Sequence, residues 1–411
     1  MNANEENFAV AVIGAGVFGA WTALHLRRAG LQVILLDAFG AGNSRASSGG
    51  ESRIMRLGYG ADEIYTRWAM RSFQQWQEFV GETGRLASST SRPALFHPVG
   101  VLWMAHEDDL YVLSTKETLR QVGATFEEFS RSDLERRWPQ INFRGISWAI
   151  LEPDSGVLMA RQLVQALVHR AVEQGVTYLH EGVAANALSS ESGNDLNKRS
   201  DSPAAGRLRN TVLTRTGQRI RAEKLVFACG PWLPKIFPEL LGELIHPTRQ
   251  EVFFFGVPAG DRRFAPPAMP VWIDFRELVY GIPDLEGRGF KIAIDRHGPP
   301  FDPDTGERVA SPEGLAEVRR ALARRIPLLE NAPVVETRVC QYENTWNGDF
   351  LIDRHPWLEN VWFVGGGSGH GFKHGPAVGE YVAELVTGKR SNIEPRFTLA
   401  SKRTTEHRAV Y

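Results

Sequence analysis

Six residues near the amino terminus, GAGVFG at 14–19, restrict what this chain can fold into more than any other stretch. Gly14, Gly16 and Gly19 follow the G-x-G-x-x-G spacing, and the flanks are the ones that pattern needs. Ahead of it, residues 8–13 (FAVAVI) are apolar throughout and of strand length, as in a strand buried on both faces of a parallel sheet. Behind it, AWTALHLRRAG reads as a helix closed by Gly30, and LQVILLD as a second strand ending at Asp37. In that setting Gly14 permits the tight turn, Gly16 lets the backbone approach a pyrophosphate, and Gly19 lets helix and strand pack closely. The helix start offers amide donors and partial positive charge to the phosphates. Asp37 would accept hydrogen bonds from a ribose, and its charge would repel a 2′-phosphate. Nicotinamide and flavin dinucleotides both use such a turn, so the pattern alone does not choose between them.

The other end of the chain bears on that choice. An apolar strand, ENVWFVGG, runs into GGGSGHGFKHG and a helix with Pro376 near its first turn, where proline is tolerated. Gly366, Gly367 and Gly369 belong to this second glycine-rich turn. A nicotinamide domain has no need of it, whereas flavoproteins of the FAD-reductase type commonly have one.

At 411 residues one simple core is too small, and two interleaved domains are expected. The segments read as a dinucleotide domain at 1–85, 150–235 and 335–411, with a substrate domain at 86–149 and 236–334. Residues 160–174 are helical, with Leu163, Val164, Leu167, Val168, Ala171 and Val172 in one apolar stripe. Residues 176–188 and 211–228 read as strands, the latter turning at Gly217, and the polar stretch 189–210 as an exposed mobile loop. The 236–334 region carries aromatic strands (EVFFFGV, VWIDF) and a charged helix at 312–325. A net charge of −1 without a basic run argues against nucleic acid. Two cysteines, no basic leader and no apolar stretch of bilayer length fit a cytoplasmic protein without a disulfide framework.

One of the cysteines, Cys340, stands in RVCQYENTWNGDFLID, and by itself it reads equally as a small buried hydrophobe. Taken with GAGVFG, SSGGESRIMRLGYG, RRWPQ, EPDSGVL, VYGIP, GFKIAI and GGGSGHGFKHGPAVGE in that order, it resembles the monomeric sarcosine oxidase and N-methyltryptophan oxidase group. Those are flavin amine oxidases of the D-amino-acid-oxidase-like superfamily. The resemblance implies an α/β fold: an FAD-binding Rossmann-like domain of glutathione-reductase type, interleaved with an α+β substrate domain on a mainly antiparallel sheet. It implies FAD bonded through its 8α carbon to Cys340, with Ser47, Ser48 and Val183 among the cofactor contacts. Cys229 has no such counterpart and reads as core.

The same resemblance assigns the chemistry. Arg53 would lie over the flavin ring, Arg56 and Lys373 would hold a substrate carboxylate, and Lys373 would also touch the cofactor. Lys291 would promote the reaction with oxygen, while Tyr280 and Tyr342 would line the pocket. Arg53 and Arg56 would point the same way on a helical turn and diverge on a strand. Two positions depart from the family pattern: Gly49 and Asp295 stand where histidines are typical, which puts sarcosine itself in doubt. An acid at 295 would favour a substrate with a second cationic group, and Trp272 and Trp346 could shape a larger pocket. His297 and His370 lack metal-ligand spacing. The expected activity is oxidation of a small secondary amino acid by a monomer, with oxygen reduced to peroxide. The alternatives are a dehydrogenase that passes electrons to a quinone or carrier, a flavin-binding subunit without turnover, and, more distantly, a nicotinamide dehydrogenase.

Overall fold

A computed structural model describes residues 7–85, 93–189 and 210–403; most of the polar stretch 189–210 lies outside them. The chain forms two compact units. One comprises Met1–Glu51, Ala160–Thr248 and Gln341–Val410; the other is built from Ser52–Met159 and Arg249–Cys340. The first crossing, at 51/52, falls well before the expected 85, whereas those at 159/160, 248/249 and 340/341 fall after the expected 149, 235 and 334. Pairing explains the largest shift. Arg53–Met55 is a short strand hydrogen-bonded to Gly156–Leu158, which draws the stretch after Glu51 into the second unit.

The first unit holds an eight-stranded sheet. Strand Asn7–Ile13 lies between Val33–Leu36 and Arg219–Phe227, parallel to both, and Val361–Gly365 continues the parallel run beyond Arg219–Phe227. All of these strands end at the same edge. Apolar residues fill both faces of the first strand, with Val10, Ala11 and Val12 fully buried, as its unbroken run predicts. Helix Val17–Arg28 follows the glycine turn and packs against helix Gly375–Thr387. That contact is close because two glycines allow it. A side-chain carbon at Gly379 would stand 2.6 Å from Trp21 Cβ, and one at Gly375 2.4 Å from Val17 Cγ2. Trp21 is thereby buried, a side chain whose burial is worth about 2–3 kcal/mol. Helix Ala160–Glu173 buries Leu163, Val164, Leu167, Val168 and Ala171, but Val172 is exposed. The stripe ends one residue earlier than the pattern suggests: Ala171 in the same turn is buried, and Val172, one step further round the helix, falls off the core face.

The second unit is built on a sheet in the order Val334–Asn344, His246–Phe255, Phe290–Ile294, Val279–Ile282, Val271–Asp274, Val101–Ala105, Trp148–Glu152 and Glu127–Ser130. From His246–Phe255 onward its pairings are antiparallel apart from Val271–Asp274 beside Val101–Ala105. Helix Pro312–Arg325 occupies the residues its sequence predicts. Ser311 accepts from Gly314 N at 3.0 Å, and Pro312 opens the first turn. Val318 and Leu322 of that helix join Phe253, Phe255, Trp272, Val279, Phe290 and Ile292 in one core. Among the described residues no helix is long and apolar enough to cross a membrane.

Candidate active site

In the first unit the glycine turn is made of backbone. Gly14 takes a φ of +105°, and a side-chain carbon there would meet the Ala228 carbonyl oxygen at 2.3 Å. A carbon on Gly19 would come within 1.8 Å of Gly14 O, so helix and strand touch without space for any side chain. Asp37 closes the turn, its carboxylate accepting from Ala15 N at 2.8 Å and Phe39 N at 2.9 Å. Burial pushes its carboxyl above the usual range, and the amides of Phe39 and Ala15 oppose that. Ser48 Oγ accepts from Val17 N at 3.1 Å, and Ser47 lies in the same short turn. Val183 begins the strand Val183–Ser189 and pairs with Thr214. An open glycine cradle, a helix start and an acid at the second strand's end fit a dinucleotide pyrophosphate and ribose.

Gly49 belongs to this cradle as well. A carbon there would be 1.7 Å from Asn43 O, so the chain has no room for a histidine at this position. Cys229 packs against the core, its thiol donating to Ile13 O at 3.3 Å and held neutral by burial.

The turn after Val361–Gly365 uses left-handed glycines at Gly366 and Gly369. A carbon on Gly369 would meet the Tyr342 ring at 2.7 Å, and one on Gly367 would meet Glu343 Oε1 at 3.1 Å. Lys373 is buried and donates to His370 O at 3.1 Å. His370 pairs with Gly348 O at 3.1 Å and stacks on Phe350. Trp346 rests on His246 and donates to Glu243 O.

In the second unit, alternation along Phe290–Ile294 sorts the side chains. Phe290 and Ile292 enter the core, while Lys291 and Ala293 face the opposite way, where Ala293 packs with Val252, Phe254 and Tyr280. Lys291 is 3% exposed and so does not face solvent. Its Nζ donates to Ser52 O at 3.0 Å and Ser52 Oγ at 3.1 Å, and lies 5.9 Å from the Tyr280 ring centre. Arg53 Nη1 donates to the same Ser52 carbonyl at 2.8 Å, and its Nη2 stands 3.3 Å from Cys340 Sγ. One carbonyl thus takes two cations beside the cysteine. Burial raises the Tyr280 phenol, Asp295 adds to this, and Arg53 opposes it. Asp295 also acts on His297, whose imidazole burial lowers. Trp272, fully buried and stacked on Phe290, belongs to the core on the other face and shapes no pocket with Tyr280.

Arg53 lies on a strand and Arg56 just past it, and their side chains diverge. Arg56 donates to Gly58 O and spreads over Tyr59 at 4.3 Å and Trp103 at 5.0 Å. Beneath it Glu152 accepts from Leu57 N (2.7 Å), Gly58 N (2.9 Å), Trp103 Nε1 (2.8 Å) and Ser155 Oγ (2.6 Å). Ser52, Glu152 and Glu343 were not singled out from sequence. The only local sign was an acid ending the apolar run WAILE, which is weak.

The chain is 31% identical to a monomeric sarcosine oxidase of Bacillus sp. (strain NS-129) over 401 residues, 96% of each chain. It is 25% identical to an N-methyl-L-tryptophan oxidase of Salmonella agona (strain SL483), over 93% of this chain and 95% of that one. The crystal structure of L-proline dehydrogenase from P. horikoshii shares the fold, with a TM-score of 0.81 at 22% identity, covering 98% of this chain and 100% of that one. The pattern of one family, the FAD dependent oxidoreductases, matches residues 9–385, and the chain belongs to that family.

Proposed function

We propose that the chain is a monomeric, cytoplasmic amine oxidase. It would take a small secondary or N-substituted amino acid, convert its C–N bond to an imine, and reduce oxygen to hydrogen peroxide. The observation that carries this reading is the pairing of Arg53 with the buried Lys291 on one Ser52 carbonyl, with Arg53 against Cys340.

Bound FAD would supply the two-electron chemistry, from the carbon beside the amine to oxygen. The chain's own residues hold and polarise. Gly14, Gly16, Gly19, Asp37, Ser47, Ser48, Val183, Gly366, Gly367 and Gly369 would seat the dinucleotide, and Cys340 Sγ would tether it as a thioether. Lys291 Nζ, fixed by two bonds to Ser52, presents a positive charge that stabilises negative charge developing on oxygen. Arg53 adds a second fixed charge. Arg56 is the second unit's candidate for the substrate carboxylate and Lys373 the first unit's, a task suited to cations with several donors. Tyr280 and Tyr342 are assigned to orienting the substrate, whose amine reacts unprotonated.

The test is anaerobic addition of secondary amino acids while following the flavin absorbance. Bleaching by one of them, followed by stoichiometric peroxide on admission of air, is the expected result. No bleaching by any of them sinks the reading. Bleaching without peroxide would leave a dehydrogenase, the reading Lys291 opposes. Acid precipitation checks the tether: a yellow pellet is expected, and a colourless one with yellow supernatant rejects it.

A further inference from the structure

Glu343 follows Tyr342 in strand Val334–Asn344 and is 8% exposed. Its Oε1 accepts from Gly367 N at 3.2 Å, and its main-chain carbonyl accepts from Ser368 N at 3.1 Å. Thr345 N donates to Ser368 Oγ at 3.2 Å. The strand is therefore laced to the glycine-rich turn at residues 366–368. Oε2 differs: it is sealed from solvent and has no hydrogen-bond partner. Two glycines wall it in. A carbon added at Gly230 would stand 3.5 Å from Oε2, and one at Gly365 3.4 Å. Both lie past or at the carboxyl ends of the parallel strands Arg219–Phe227 and Val361–Gly365, the edge off which such sheets bind ligands.

A carboxylate oxygen buried without a donor is far more costly than the same oxygen carrying a proton. Burial accordingly pushes Glu343 up to about 7, with the amides of Gly367 and Gly366 pulling the other way. The titratable groups on the adjoining elements are Cys229 and, on the turn itself, His370, Lys373 and His374. Glu343 and Asp37 both act on Cys229, whose thiol is held neutral by burial. His370 and Lys373 are engaged with Gly348 O and His370 O.

We propose that Glu343 is a positioning residue for the flavin dinucleotide. As a neutral carboxyl it holds the 366–368 turn in its binding arrangement; on losing its proton to solvent it loosens the turn and weakens the hold on the cofactor. The inference rests on the reading that this turn belongs to the flavin site.

The test uses flavin-loaded Cys340→Ser protein, in which release can be reversible. The protein is diluted at about pH 6 and about pH 8.5, and freed FAD is read by its fluorescence. The dissociation constant should rise about tenfold or more between the two, within the limit of about tenfold per pH unit that linkage to one proton sets. Glu343→Gln keeps an acceptor for Gly367 N and cannot ionise, so its constant should be flat with pH and close to the parent's low-pH value. Glu343→Leu should also be flat, which covers the case where the glutamine variant does not fold. A parent without pH dependence, or variants that keep the parent's dependence, would overturn the proposal while leaving the flavin reading intact. A protein that holds no flavin at any pH would instead sink that reading.

Discussion

The two units present their chemistry in opposite ways. In the first, the dinucleotide turn is main chain: the decisive facts at Gly14 and Gly19 are carbonyl oxygens 2.3 Å and 1.8 Å from where a side chain would begin. In the second, the site is side chain: Lys291 and Arg53 meet on Ser52, and Arg56 lies on two aromatic rings. A site made of backbone is intolerant of any added atom and, Glu343 apart, indifferent to charge. A site made of side chains should survive isosteric change and lose function when charge is removed.

The sharpest way to break that contrast is Gly14→Ala. One methyl group collides with the Ala228 carbonyl and with a φ of +105°, so the purified protein should carry no flavin and lose several kcal/mol of stability, roughly 3 or more. Absorbance and a melting curve decide it. Retained yellow colour at normal stability would mean that the turn yields, and the contrast would fail. Next in size is Lys291→Met, a near-isostere that removes only the charge and two hydrogen bonds. Flavin content should stay normal, reduction by substrate should change little, and reoxidation by air should slow by roughly 10²-fold or more. Stopped-flow measurement of the two half-reactions separates them; slowing confined to the reductive half would reassign the lysine.

The same contrast explains what was legible in the sequence. Glycine spacing between an apolar strand and a helix is a local pattern, and the first unit follows it down to Asp37. Alternation in FKIAI was also local, and it placed Lys291 opposite Phe290 and Ile292 once the core side was known. Trp272 shows the limit: with apolar neighbours on either side along the chain, only its pairing opposite Gly281 tells which face it takes. Ser52, Glu152 and Glu343 were invisible for a related reason. Each matters through partners far along the chain, such as Lys291 for Ser52 and Gly367 for Glu343, and nothing in the local sequence announces such bonds. The crossing points between units depend on strand pairing in the same way.

Glu152 lets the side-chain site be tested for precision rather than charge. Its carboxylate accepts four hydrogen bonds, and glutamine at 152 would turn a donor toward groups that are themselves donors. Glu152→Gln should cost about 2–3 kcal/mol of stability and raise KM more than it lowers kcat, since the Leu57–Gly58 segment beneath Arg56 would shift. An unchanged KM would detach Arg56 from substrate binding.

The smallest effect asks whether side-chain charge in the first unit reaches its backbone turn at all. Lys402 is fully buried, its Nζ donating to Arg396 O at 2.7 Å and Asn347 Oδ1 at 3.2 Å. Burial lowers it to about 7, Asp349 opposing and Arg396 assisting. Folded protein therefore begins to release this proton near pH 7, whereas the unfolded chain keeps it until about 10.4. Between those values the unfolded state binds more protons, so this residue's contribution makes stability rise with pH, by at most about 1.4 kcal/mol per unit. Lys402→Met should flatten that rise, measured as the difference between denaturation curves of parent and variant across the window. Flavin affinity should not move, because the turn is held by main chain and by Glu343. If affinity fell with stability in the variant, the backbone cradle would depend on distant charge after all, and the distinction between the two units would be one of degree.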